Sequence, residues 1–251
     1  MKNLKTMLNK VPEIILSFWI IKILCTTVGE TFADYLNTTL GFGLNGTTAV
    51  MGIFLIVALI FQFKSSKYIP SIYWLSVVLI SVFGTLITDN LIDNLGVSLI
   101  VITALFSIIL ASVFALWYKS ENTLSIHSIT TTKREAFYWL TILFTFALGT
   151  ASGDLLAEKL ALGYLLSAVV FAGGIAIIYV LYSKFRLNAI LAFWLAYILT
   201  RPLGASVGDY LSQTTDVGGL GLGTVITSLI FLITIIAVVI YLTRTKVDEI
   251  A

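Results

Sequence analysis

Four aspartates recur at one place in a repeated frame, and carboxylates are groups that bind cations or carry protons. The segments FWIIKILCTTVGETFADYL, YWLSVVLISVFGTLITDNL, YWLTILFTFALGTASGDLL and FWLAYILTRPLGASVGDYL each obey (F/Y)-W-x9-G-x4-D-x-L without insertion. They align Asp34, Asp89, Asp154 and Asp209, with Gly29, Gly84, Gly149 and Gly204 five residues earlier in each case. Glu30 lies four residues before Asp34, so a helix would set two carboxylates one turn apart in the first copy. The equivalent positions hold Thr85, Thr150 and Ala205. Oxygen donors of this kind suit Mg²⁺, Mn²⁺, Ca²⁺, protons or alkali ions better than zinc or copper, which prefer His and Cys. Arg201, eight residues before Asp209, is the expected partner of the acidic cluster. Pro202 follows it and removes a helix hydrogen bond.

The elements that must position these groups are read from composition. Of the 251 residues 59% are apolar and 11% charged, which excludes an ordinary water-soluble domain. Apolar runs bounded by charged or Gly/Asn-rich breaks predict transmembrane helices at about 13–38, 47–63, 71–92, 98–118, 135–158, 164–183, 188–211 and 222–243. The fold expected is an all-α integral membrane protein, one domain over residues 1–251. Its eight transmembrane helices form four parallel tandem helical-hairpin repeats, about 10–64, 68–119, 133–184 and 187–244, with pseudo-fourfold or nested twofold symmetry. The motif helices carry the polar residues and are expected to line the axis. One side of this topology collects 12 of the 15 Lys and Arg, namely Lys2, Lys5, Lys10, Lys64, Lys67, Lys119, Lys133, Arg134, Lys184, Arg186, Arg244 and Lys246. The positive-inside rule then puts both termini in the cytoplasm of a multi-pass inner-membrane protein.

The remaining motif positions have plainer readings. Trp19, Trp74, Trp139 and Trp194 are expected as interfacial anchors. Gly29, Gly84, Gly149 and Gly204 lie ~15 Å further along and are expected to let helices approach closely. The aspartates, ~22 Å above the tryptophans, still fall within a hydrocarbon core of ~30 Å. An unpaired carboxylate there is costly, and near a helix carboxyl end the dipole disfavours it further. Asp93 and Glu158, one turn on, are expected at the outer mouth. Lys22 is expected to snorkel to the cytoplasmic surface, His127 to be a surface residue, and Cys25 to be a packing residue. No phosphate loop, nucleophile elbow, HExxH or Cys/His cluster is present, and GLGLG at 219–223 lacks a preceding strand. An enzyme is therefore not expected, nor a nucleic-acid partner.

The four-copy pattern, with two helices and one motif tryptophan in each, resembles bacterial membrane proteins assembled from tandem repeats of unknown function. These are often labelled membrane-anchored and loosely assigned to amylopullulanase regulation. The resemblance implies architecture and an inner-membrane location; no sensor or docking segment here supports the regulatory label. The function expected from the residues is a transporter or channel for a cation, foremost a divalent metal such as Mn²⁺. Asp34, Asp89, Asp154 and Asp209 would be its metal ligands, with Glu30 and Arg201 completing the site. No cofactor beyond a bound divalent cation is expected; the partners are the bilayer, the cation or a small solute, and a second copy in a homodimer. A proton-coupled carrier of an organic solute and a non-transporting scaffold or regulator with structural aspartates are the alternatives.

Overall fold

The computed structural model describes residues 9–249, and all of them fall in helices or short connections. Lys2 and Lys5 lie outside the described residues. The eight helices are α1 Leu16–Asp34, α2 Gly43–Lys64, α3 Pro70–Asp89, α4 Leu99–Glu121, α5 Thr132–Asp154, α6 Tyr164–Phe185, α7 Ala189–Ser212 and α8 Gly223–Thr245. Each is long and apolar enough to cross a membrane. Local chemistry sets several starts. Pro70 opens α3, where its missing N–H is not needed. Thr131 caps α5 by accepting from Arg134 N, and Asn188 caps α7 by accepting from Ile190 N and Leu191 N. The first helix begins at Leu16 rather than 13, because residues 9–15 run non-helically across the end of the bundle. There Lys10 N donates to Ile129 O and Glu13 N to Asp248 O, so both ends of the described chain share one side.

α1, α3, α5 and α7 close into a ring, each packed on the next and α7 back on α1. More than half of each odd helix's most apolar stretch is buried, against about a fifth for the even ones. The even helices form an outer layer whose bare face is lipid-facing by composition, with residues such as Ile53, Ile108, Ile177 and Ile233 fully outward. Each even helix packs chiefly on the odd helix of the following copy: α2 on α3, α4 on α5, α6 on α7 and α8 on α1. The hairpins therefore interlock around the axis instead of standing as four separate pairs.

The motif glycines make the ring closable. A Cβ on Gly29 would stand 1.9 Å from Ser81 Oγ, on Gly84 3.0 Å from Phe146 Cβ, on Gly149 2.2 Å from Arg201 Cγ and on Gly204 1.8 Å from Thr26 Oγ1. In each case the intruding residue is the one three places before the motif glycine of the next helix. One notch, repeated four times, receives one knob, and the packing role expected of the glycines is what the backbone approach requires.

The tryptophans do not anchor at an interface. Trp74, Trp139 and Trp194 are buried and Trp19 half-buried, all in one aromatic layer at the basic end of the bundle. Each motif Phe or Tyr meets the tryptophan of the next copy: Phe18 with Trp74 at 5.7 Å, Tyr73 with Trp139 at 5.5 Å, Tyr138 with Trp194 at 6.3 Å and Phe193 with Trp19 at 5.6 Å between centroids. Rings of this size gain from edge-on and tilted packing beyond their buried area. The interfacial expectation fails because the side chains turn inward, where a neighbouring helix covers them. Beneath this layer Lys10, almost fully buried, donates to Glu135 Oε2 at 2.6 Å, and Gln62 Nε2 donates to Glu135 Oε1 at 3.1 Å. The axis is thus filled at the end where both ends of the described chain lie.

Candidate functional site

Arg201 crosses the middle of the ring. It occupies the knob position that Thr26, Ser81 and Phe146 hold in the other copies, its stem lying over Gly149. From there the guanidinium reaches all three other odd helices. Nη1 donates to Thr26 O at 3.0 Å, and Nη2 donates to Glu30 Oε2 at 3.0 Å, to Thr150 Oγ1 at 2.8 Å and to Thr85 Oγ1. The acceptors Glu30, Thr85 and Thr150 are the residues that follow the motif glycines, while the fourth such position, Ala205, offers no side-chain acceptor. The expected pairing of Arg201 with the acidic cluster is found, through Glu30. Arg201 is inaccessible to solvent, and its Nε has no partner among the described residues. Such a pair loses much of its Coulomb gain to desolvation, but removing either partner strands a buried charge.

Lys22 lies deeper along the same axis and does not snorkel. It is fully buried, donates to Tyr197 O at 2.9 Å and to Thr200 Oγ1, and sits 3.8 Å from the Tyr197 ring centroid. The expectation failed because its helix face points at α7 and not at lipid, so no path lets the amine out.

On the other side of Arg201 the axis opens into a cavity of about 410 Å³. All four motif aspartates and Glu30 line it, joined by Asp93 and Glu158. Asp93 and Glu158 are exposed and stand at the mouth, as expected. The carboxylates of Glu30, Asp154 and Asp209 each offer an oxygen within 4.8 Å of the other two, a spacing one metal ion can bridge. Asp34 and Asp89 line the same cavity outside that close group. Asp209 is 7% exposed, and its carboxylate has no hydrogen-bond partner among the described residues.

The copies differ in how they carry the aspartate. In the first three it is the last α-helical residue, followed by a π-helical turn: Tyr35–Thr39, Asn90–Asn94 and Leu155–Lys159. In the fourth, α7 continues past Asp209 to Ser212. Wide turns of this kind interrupt the regular ladder and are frequent at functional sites. Asn37, Gln213 and Thr224 also line the cavity. Sequence reasoning missed them; the polar type of Asn37 and Gln213 within four residues of a motif aspartate was the available signal.

Fold and site together define a multi-pass helical membrane protein of four interlocked repeats around a one-ended acidic cavity. The model for the family described as Repeat of Unknown Function (DUF347) matches residues 17–68, 72–123, 137–187 and 192–248, and the chain belongs to that family. The four matches coincide with the four helix pairs. Comparison with curated proteins and with solved structures gives no match.

Proposed function

We propose that the protein is a carrier for a small inorganic cation, with Mn²⁺ or a similar hard divalent ion as substrate and Glu30, Asp154 and Asp209 as its closest ligands. The observation that carries the reading is the clustering of these three carboxylates, one of them buried without a hydrogen bond, at the blind end of a cavity. Seven acidic side chains line the cavity and Arg201 is the one cation in contact with them among the described residues, an arrangement that favours positive charge. A carrier fits better than an open channel, because Arg201 and the aromatic layer occupy the axis beyond the cavity. Release on the other side then needs a second arrangement of the ring, the alternating access familiar from repeat-built transporters. Asp34 and Asp89 complete the approach to the close group.

The basic end carries Lys64, Lys67, Lys119, Lys133, Lys184 and Arg186 in the terminal turns of helices and the connections between them, which supports cytoplasmic termini in a bacterial inner membrane and a cavity facing outward. One observation favours a second reading: about 410 Å³ exceeds the space a bare ion needs and falls in the range of small-molecule pockets. An organic cation would use the same carboxylates.

Reconstitution into liposomes tests both. Entry of Mn²⁺ against a trapped metal-sensitive dye, lost in Asp154→Asn plus Asp209→Asn, is the expected result. No flux of any divalent ion, with flux of an organic amine abolished by the same pair, would transfer the assignment to the second reading. No flux of either sinks both.

A further inference from the structure

The axial arginine and the cation site share one carboxylate. Glu30 accepts from Arg201 Nη2 at 3.0 Å and is one of the three carboxylates whose oxygens lie within 4.8 Å of one another. A carboxylate turned toward a metal on the cavity side gives up part of its charge-assisted bond to the guanidinium on the other. We propose that Arg201 is a tethered counter-cation that competes with the incoming ion for Glu30, so that a divalent ion displaces it from that carboxylate while a monovalent ion does not. This rests on the cation reading above.

Three features of the site support competition over a permanent lock. The arginine's resting place is built from neutral acceptors on three helices, Thr26 O, Thr85 and Thr150, so Glu30 supplies its single carboxylate partner among the described residues. The perch is incomplete, since Nε finds no acceptor. And the next residue, Pro202, gives no N–H to the preceding turn of α7, leaving that helix weakest where the guanidinium would have to move. On the cavity side Asp209, 7% exposed and without a hydrogen-bond partner among the described residues, presents an uncommitted carboxylate to the cavity. Charge decides which ligand succeeds. A sodium ion offers Glu30 the same unit charge it already has from the guanidinium, whereas a divalent ion doubles the attraction at equal distance.

The test is a Mn²⁺ titration of the purified full-length chain, following free Mn²⁺ by its paramagnetic resonance, with Na⁺ as competitor. Arg201→Gln should bind Mn²⁺ about tenfold more tightly and lose discrimination against Na⁺. That gain should vanish in a Glu30→Gln background, because competition acts through Glu30 alone, whereas general charge repulsion would persist there. Thr150→Val removes the 2.8 Å acceptor at near-constant volume and leaves every charge in place. It should tighten Mn²⁺ binding by about two- to fivefold, and it decides the matter if Arg201→Gln does not fold. Unchanged or weaker binding in these variants, or a gain that survives Glu30→Gln, overturns the exchange while leaving the cation site standing. A wild-type chain that binds no divalent ion overturns both.

Discussion

Replacing Gly29 by Ala probes the closure of the four-helix ring. The new methyl would lie 1.9 Å from Ser81 Oγ, 2.6 Å from Ser81 Cβ and 2.9 Å from the Ser81 carbonyl carbon. The hydroxyl can rotate away, but the backbone carbon cannot, so α1 and α3 must separate. Overpacking at a contact that cannot relax costs about 3 kcal/mol, the upper part of the usual range. The gain in helix propensity of Ala over Gly returns about 1 kcal/mol, leaving a net loss of about 2 kcal/mol. For a chain of this size that lowers the melting temperature by roughly 4–8 °C. The control is Gly173→Ala on the lipid face of α6, where a Cβ meets nothing within 4 Å. It receives the propensity gain alone and should melt at or slightly above wild type. The assay is tryptophan-fluorescence melting in one detergent for all three proteins. Equal melting temperatures for the two variants would refute the glycine-notch account of the ring.

Two further perturbations separate the polar and aromatic layers. Glu30→Gln strands the Arg201 charge in a site with no other carboxylate within salt-bridge distance among the described residues, and should cost about 3–5 kcal/mol, read as a melting temperature lower by about 6 °C or more. Adding Arg201→Gln to it should restore part of the loss; a double variant weaker than the sum of the singles would contradict the pairing. Trp74→Ala should cost about 3–5 kcal/mol as a buried truncation, and Trp19→Ala distinctly less because that ring is half-exposed. Four equal and small effects across the motif tryptophans would restore the interfacial reading.

The repeat and its register were legible because the motif glycine and aspartate are identical in all four copies, and identical residues at one depth follow from any parallel repeat. The facing direction of the aromatic pairs was not, since lipid and bundle interior are equally apolar and hydropathy does not distinguish them. The same ambiguity hid Lys22: a lysine near a helix end reads as a snorkelling group unless the partner helix is known. Arg201 and Glu30 were visible as the places where the copies disagree. Their contact was less so, because it joins different positions of the first and fourth copies, three before one motif glycine and one after the other. The interlocking of even helices with the following copy's odd helix, and the π-helical turns after the first three aspartates, leave no mark in periodicity.

A divalent cation held in the acidic cavity, as proposed above, would stabilise the folded protein. Melting of the purified protein across a panel of Mn²⁺, Mg²⁺, Ca²⁺ and Na⁺, with Asp154→Asn plus Asp209→Asn alongside, tests it most directly. An ion present at about 100 times its Kd adds about 2.7 kcal/mol to the folded state, or roughly 5–10 °C for a chain of this length. Such a rise is expected for Mn²⁺, little for Na⁺, and none for the double variant. Wild type that melts at one temperature in every cation, or a rise that the double variant keeps, would contradict it.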